Sequence, residues 1–214
     1  MNPRELLQNG AEKLAVPLTL EQINSIFIYL TELKKWNEKI NLTAIKDERD
    51  IIIKHVLDSL SYIIGFAPSP EVRLLDIGSG AGFPALPIKI ARPEISISMV
   101  DSVKKKASFL RHIVRTLQLK GAEVFDQRTE LLPASLCSTF DVVTARAFAN
   151  MNAAILAGLP FLKPGGLIVL SRGPEESITE QSFARIGVTL EKKVELTLPY
   201  SDYKRAIWVF KKIG

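Results

Sequence analysis

The sequence has 214 residues but one cysteine, Cys137, and two histidines, His55 and His112. A single thiol cannot form an internal disulfide, and this set cannot build a cysteine-rich zinc site, so no metal is expected. So little cysteine fits a reducing compartment, and the expected location is the cytoplasm. Long apolar runs are also missing. The opening "MNPRELLQNGAEKLAV" lacks the apolar core of a signal peptide, and no later run is long enough to span a bilayer, so no membrane partner is expected. No internal repeat or low-complexity segment is visible. What remains, 47% hydrophobic and 24% charged, is the composition of a globular protein able to bury a real core.

Charge is unevenly spread. Residues 1–70 hold 8 Lys/Arg against 9 Asp/Glu, whereas residues 71–214 hold 20 against 14. The densest basic stretch is Lys104, Lys105, Lys106, Arg111, Arg115 and Lys120, with no acid between Asp101 and Glu123. A solvated helix face would explain it, and so would an anionic substrate such as nucleic acid.

Residues 1–66 read as a helical extension and 67–214 as an α/β domain, divided within "GFAPSPEV". Thr19 with Gln22 is a capping-box signal, followed at helical spacing by Leu20, Ile23, Ile26, Phe27, Leu30, Leu33 and Ile40. A second helix is expected from Asp47, carrying Ile51, Ile52, His55, Val56 and Leu60. Beyond the boundary, strands are expected at Arg73–Ile77, Ile95–Val100, Ala122–Phe125, Phe140–Ala145 and Leu167–Leu170. Amphipathic segments at Pro84–Ala91, Val103–Leu119 and Met151–Leu162 separate several of them, which predicts a doubly wound parallel sheet. The alternating "VTLEKKVELTLP" and "KRAIWVFKKI" predict antiparallel strands at its edge.

"RLLDIGSGAGFPALPIKI", Arg73–Ile90, places Gly78, Gly80 and Gly82 between a strand and a helix. Glycines there permit a tight turn and close approach of a ligand. Asp101, 23 residues after Gly78 and at the end of the next strand, stands where an acid grips a ribose diol. The spacing is G-x-G-x-G rather than the dinucleotide G-x-G-x-x-G, and Phe83, Pro84 and Pro87 follow. A bulky ring and two prolines without N–H donors suit a phosphate-free cofactor. S-adenosylmethionine is one, with a ribose for Asp101; NAD is the weaker candidate.

Methyl transfer from a sulfonium is a displacement, so alignment is the main requirement. Cys137 precedes the fourth strand, away from its carboxyl end, and reads as a small apolar filler rather than a nucleophile. After that strand, "TARAFAN" lacks the prolines of the turn used on exocyclic amino groups. A ring nitrogen such as guanine N7 carries its own lone pair and needs no base. His55 and His112 sit in helical apolar patterns and read as structural or RNA-facing, so no catalytic residue is assigned. Arg146 and Arg172, at the ends of the fourth and fifth strands, point toward the cleft. Each pairs with nearby acids or binds an RNA phosphate or guanine edge.

Together "WNEKINLTA", "HVLDSL", the glycine segment, "VDSVKKKASFL" and "VTARAFA" resemble the bacterial small-subunit ribosomal RNA methyltransferase G family, also called GidB, from about Trp36 to Ser171. The resemblance implies a class I S-adenosylmethionine-dependent methyltransferase fold, Rossmann-like, with a mostly parallel seven-stranded sheet, an antiparallel last strand and an N-terminal helical extension. It implies methylation of a guanine N7 in 16S rRNA, with the small ribosomal subunit or its assembly intermediate as partner. Family cofactor contacts fall on Gly78, Phe83, Thr129, Glu130 and Arg146, beside the Gly80 and Asp101 read from spacing. The usual "RAE" is "RTE" here, and Arg172-Gly173 replaces a lysine-glycine pair. RNA is expected at Lys104, Lys105, Lys106, Arg111 and Arg172, and a monomer is expected. The alternatives are an NAD-dependent oxidoreductase and a non-catalytic RNA-binding or ribosome-assembly protein.

Overall fold

A computed structural model describes residues 1–146, 150–173 and 181–214. Ala147, Phe148 and Ala149 of the "VTARAFA" segment lie outside them. Helix α1 (Pro3–Lys13) is opened by an Asn2–Glu5 capping box. Helix α2 (Leu20–Asn37) is opened by the expected Thr19–Gln22 box, with the Gln22 N–H donating to Thr19 Oγ1 at 3.2 Å and the Thr19 N–H to Gln22 Oε1 at 2.8 Å. Each box satisfies backbone donors that a helix start leaves orphaned. Leu20 is 75% exposed, and Tyr29, absent from the expected apolar stripe, is fully buried instead.

Asp47 caps the next helix as expected, accepting from the Asp50 N–H at 2.8 Å. That helix is not uniform. Helix α3 (Glu48–Ile51) widens into a π-helical segment at Ile52–Leu57, returns to α4 (Asp58–Ser61) and tightens to 3-10 at Tyr62–Gly65. π-helical turns often occur where a helix serves a site, and this one carries His55.

The sheet has seven strands in the order β3-β2-β1-β4-β5-β7-β6. They are β1 (Arg73–Ile77), β2 (Ser96–Val100), β3 (Ala122–Phe125), β4 (Phe140–Ala145), β5 (Leu162–Arg172), β6 (Val188–Thr197) and β7 (Lys204–Lys212). The first five pair in parallel, and β7 runs antiparallel to both β5 and β6. The last strand therefore inserts rather than lying at the edge. Ala206–Phe210 are buried on both faces, so β7 is a continuous apolar run rather than an alternating one.

Alternate strand residues divide into two cores. Leu74, Val142, Val169, Ile207 and Val209 face one side, covered by the N-terminal helices together with α5 (Ala85–Ala91) and α6 (Lys104–Thr116). Leu75, Val143, Ile168, Leu170 and Trp208 face the other, covered by α7 (Met151–Gly158). The short α8 (Gln181–Ala184) precedes β6, and its Phe183 joins the second core. Cys137 lies in the loop before β4 as expected, but it is exposed and fills no cavity.

Candidate cofactor and substrate cleft

All three turn glycines have positive φ, +70° at Gly78, +58° at Gly80 and +96° at Gly82, where a Cβ is strained. Backbone donors fix the loop: Gly78 N–H and Ser79 N–H both reach Val100 O, at 2.8 and 3.0 Å. Asp101 holds it from the next strand. Its Oδ2 accepts from the Gly80 N–H at 2.8 Å and its Oδ1 from the Val103 N–H at 2.8 Å. A carboxylate offers about four lone-pair sites, so acceptor capacity remains on both oxygens. The extension grips the loop from outside, with Tyr29 Oη donating to Ala81 O at 2.6 Å and its ring 5.4 Å from that of Phe83.

Two cavities meet at Gly78. One of about 380 Å³ is lined by Gly78, Asp101, Thr129 and Glu130, with Ile77 and Val100. The other, about 270 Å³, is lined by Gly80, Phe83 and Arg146, with Lys106, Thr43 and His55. The seven residues expected at the cofactor thus line two adjoining cavities. Among the basic residues, Lys106 lines the second cavity, whereas Lys104 and Lys105 are exposed at the start of α6. Arg111 is tied down, 3.1 Å from Asp126 and 3.3 Å from Val124 O, so it pins α6 to β3. Arg172 closes β5 and is half-buried. His112 joins Glu32 at 2.7 Å and packs on Trp36, so it holds α6 to α2 as a structural residue.

His55 is a different case. Its ring stacks on Phe83 at 4.6 Å, its Nδ1 lies 2.9 Å from an Arg146 terminal nitrogen, and its Nε2 lies 2.8 Å from Thr43 Oγ1. The same Arg146 nitrogen donates to Lys54 O at 3.0 Å and approaches Asp58 at 3.7 Å. Arg205 Nε donates to the other Asp58 oxygen at 3.0 Å. Burial, and then the Arg146 charge, push the His55 pKa down to about 4, so the imidazole is neutral at physiological pH.

Asp76 was not singled out from the sequence, although an acid inside the apolar strand "RLLDI" was a legible signal. It is fully buried; its Oδ1 accepts from the Thr144 hydroxyl at 2.8 Å and its Oδ2 has no hydrogen-bond partner among the described residues. Burial raises its pKa to about 7, against the opposing pull of hydroxyl hydrogen bonds and Arg146. An orphaned carboxylate oxygen two residues ahead of Gly78 suits a ligand that brings positive charge. S-adenosylmethionine carries an ammonium and a sulfonium, so the donor set fits it.

Seven strands in this order, with a glycine turn after β1 and an acid after β2, define a class I S-adenosylmethionine-dependent methyltransferase. The family described as rRNA small subunit methyltransferase G, GidB, matches residues 22–207, and the chain belongs to that family. It is 40% identical over 210 residues to the ribosomal RNA small subunit methyltransferase G of Geobacter sp. (strain M21), covering 96% of each chain. The protein of the same name from Acetivibrio thermocellus is 37% identical, with 98% of this chain and 88% of that one covered. Among solved structures, a SAM-dependent methyltransferase from Aquifex aeolicus is similar with a TM-score of 0.57 at 17% identity, over 79% of this chain and 96% of that one. P. horikoshii TYW2 in complex with MeSAdo also gives 0.57 at 13% identity, over 74% and 62%. At these identities the structural likeness speaks for the fold.

Proposed function

We infer that the protein transfers a methyl group from S-adenosylmethionine to guanine N7 in the 16S rRNA of the small ribosomal subunit. Family membership supplies the reaction class, and one observation of the cleft carries the choice of acceptor. His55, the cleft's imidazole, has both ring nitrogens engaged, with Arg146 and Thr43, and is not available as a base. An acceptor that must lose a proton before attack would be poorly served here, whereas N7 needs no deprotonation. S-adenosylmethionine supplies an electrophilic methyl group on a sulfonium. The N7 lone pair forms the new bond as the carbon–sulfur bond breaks, and the positive charge passes to the purine ring. Alignment is then the chain's contribution. Asp101 offers its remaining lone pairs to a ribose, Glu130 and Thr129 flank the adenine side, and Phe83 and Arg146 close the methionine side. Asp76 Oδ2 accepts no hydrogen bond among the described residues and fits the ammonium.

Lys104, Lys105, Lys106 and Arg172 are proposed to hold the RNA backbone, with Arg111 contributing through the placement of α6. No helix of the described residues is long and apolar enough to cross a membrane, and the reading places a monomer in the cytoplasm, on free 16S rRNA or an assembling subunit. Incubation with labelled S-adenosylmethionine and either small subunits or deproteinised RNA from a strain lacking the enzyme tests it. Label on guanine N7 is expected from at least one substrate, and which one reacts faster separates assembled from free RNA. No transfer to guanine on either would overturn it.

A further inference from the structure

The hydrogen-bond chain Thr43–His55–Arg146 permits one arrangement of protons. A guanidinium only donates, so the Arg146 nitrogen 2.9 Å from His55 Nδ1 requires a lone pair there. A neutral imidazole then carries its single proton on Nε2 and donates it to Thr43 Oγ1, 2.8 Å away. That oxygen already accepts from the Ile45 N–H at 3.1 Å. With two donors on its two lone pairs, the Thr43 hydroxyl must send its own hydrogen elsewhere. Among the described residues no acceptor takes it, and Thr43 lines the cavity beside Phe83 and Gly80.

The backbone around Thr43 is held firmly enough for this to matter. Asn37 Oδ1 accepts from the Leu42 and Thr43 N–H groups at 2.8 and 2.9 Å, and its amide donates to Thr43 O at 3.0 Å. All three bonds keep the turn after α2 in one shape. The burial that keeps His55 neutral keeps the polarity of the chain from reversing.

We propose that Thr43 is a specificity-determining residue: its hydroxyl, fixed as a donor by the positioning residue His55, binds the keto oxygen of the target guanine. The inference rests on the guanine reading above and deepens it. A preset donor donates to a keto oxygen and leaves an amino group in the same place facing another donor, so it separates guanine from adenine. N7 itself is left free to attack.

The test pairs a variant with a base analogue. Small subunits are reconstituted with guanine or with 2-aminopurine, which keeps N7 but lacks the keto oxygen, at the methylated position. Wild-type protein is expected to favour guanine about tenfold in kcat/KM, and Thr43→Val to lose that preference while S-adenosylmethionine affinity stays within about threefold. Thr43→Ser should restore it. His55→Asn, which keeps an acceptor toward Arg146 but gives up the bond to Thr43, should also lose the preference. Equal wild-type rates on the two bases, or an unchanged preference in Thr43→Val, would overturn the proposal, and the first result needs no variant to fold. Failure of wild-type protein to methylate guanine at all would instead overturn the functional reading and this inference with it.

Discussion

Asp76, buried just ahead of the glycine turn, and His55, in the cleft, are titratable groups whose pKa values burial moves in opposite directions, each in favour of the neutral form. The folded Asp76 titrates near 7, above its ordinary 3.8, so the native state holds a proton that the unfolded chain has already lost. Its contribution to stability is therefore complete below about pH 4 and is lost as pH rises to about 7. The folded His55 titrates near 4, below its ordinary 6.5, so its contribution is present above 6.5 and is lost as pH falls toward 4. The two slopes oppose each other, and single variants should expose them. Asp76→Asn is expected to melt at rising temperature between pH 4 and 6.5, and His55→Gln at falling temperature through pH 7, each by roughly 5 °C. Parallel profiles for both variants and wild type would refute the assignment. Cofactor binding supplies a second readout. If the ionised Asp76 meets the ammonium, affinity falls below pH 7 with a slope approaching tenfold per unit. Calorimetry should show this slope in the wild type and its absence in Asp76→Asn. Gly78, Gly80 and Asp101 were legible because chain spacing brings them together at the carboxyl ends of two neighbouring strands, β1 and β2. Thr43, Tyr29 and the role of His55 were not, because they reach the cleft from a separate element. No local pattern encodes that meeting.

At the scale of elements, the glycine turn divides its labour in a way that spacing does not reveal. A Cβ on Gly82 would stand 2.3 Å from Leu86 Cδ1 and 2.8 Å from its Cγ, inside the packing of the turn on α5. A Cβ on Gly80 would meet nothing nearer than Gly78 O at 3.9 Å. Gly82→Ala is accordingly expected to destabilise the protein by about 2–3 kcal/mol, through overpacking and a backbone at φ +96°. Gly80→Ala carries only the strain of φ +58°, of order 1 kcal/mol, and places its methyl group at the cleft. Its expected effect is weaker S-adenosylmethionine binding, about tenfold, with melting nearly intact. Thermal melts and calorimetry on the two variants check the contrast, and equal loss of stability in both would contradict it. The parallel strands were readable as apolar runs, and β1, β3 and β4 match their expected bounds. The insertion of β7 was not readable, because "KRAIWVFKKI" has charged ends that mimic edge alternation while its centre is buried on both sides.

Across the whole molecule, the extension and the sheet share a core. Leu7, Leu33 and Leu57 belong to one cluster with Leu74, Val142 and Ile207 from three strands. The approaches are close: a Cβ on Gly10 of α1 would stand 2.5 Å from Leu57 Cδ1, and one on Gly65 would stand 2.6 Å from Val169 Cγ1 of β5. A composition break at "GFAPSPEV" marks where helices give way to strands, but what packs across it is set by complementary faces far apart in sequence. Since the extension covers the sheet face that carries Asp76 and holds the glycine turn through Tyr29, it should unfold together with the cofactor site. The two tryptophans report on either part: Trp36 in α2 packs on Phe109 with ring centroids 5.5 Å apart, and Trp208 lies buried in β7. Trp36→Phe and Trp208→Phe leave one reporter each. Urea unfolding followed by the remaining tryptophan in each variant is expected to give the same slope, and midpoints that differ only by the shift far-UV circular dichroism records for that variant. If Trp36 changes at clearly lower urea than the circular dichroism of the same variant, the extension is an independent unit. The cofactor turn would then have to hold its shape without Tyr29.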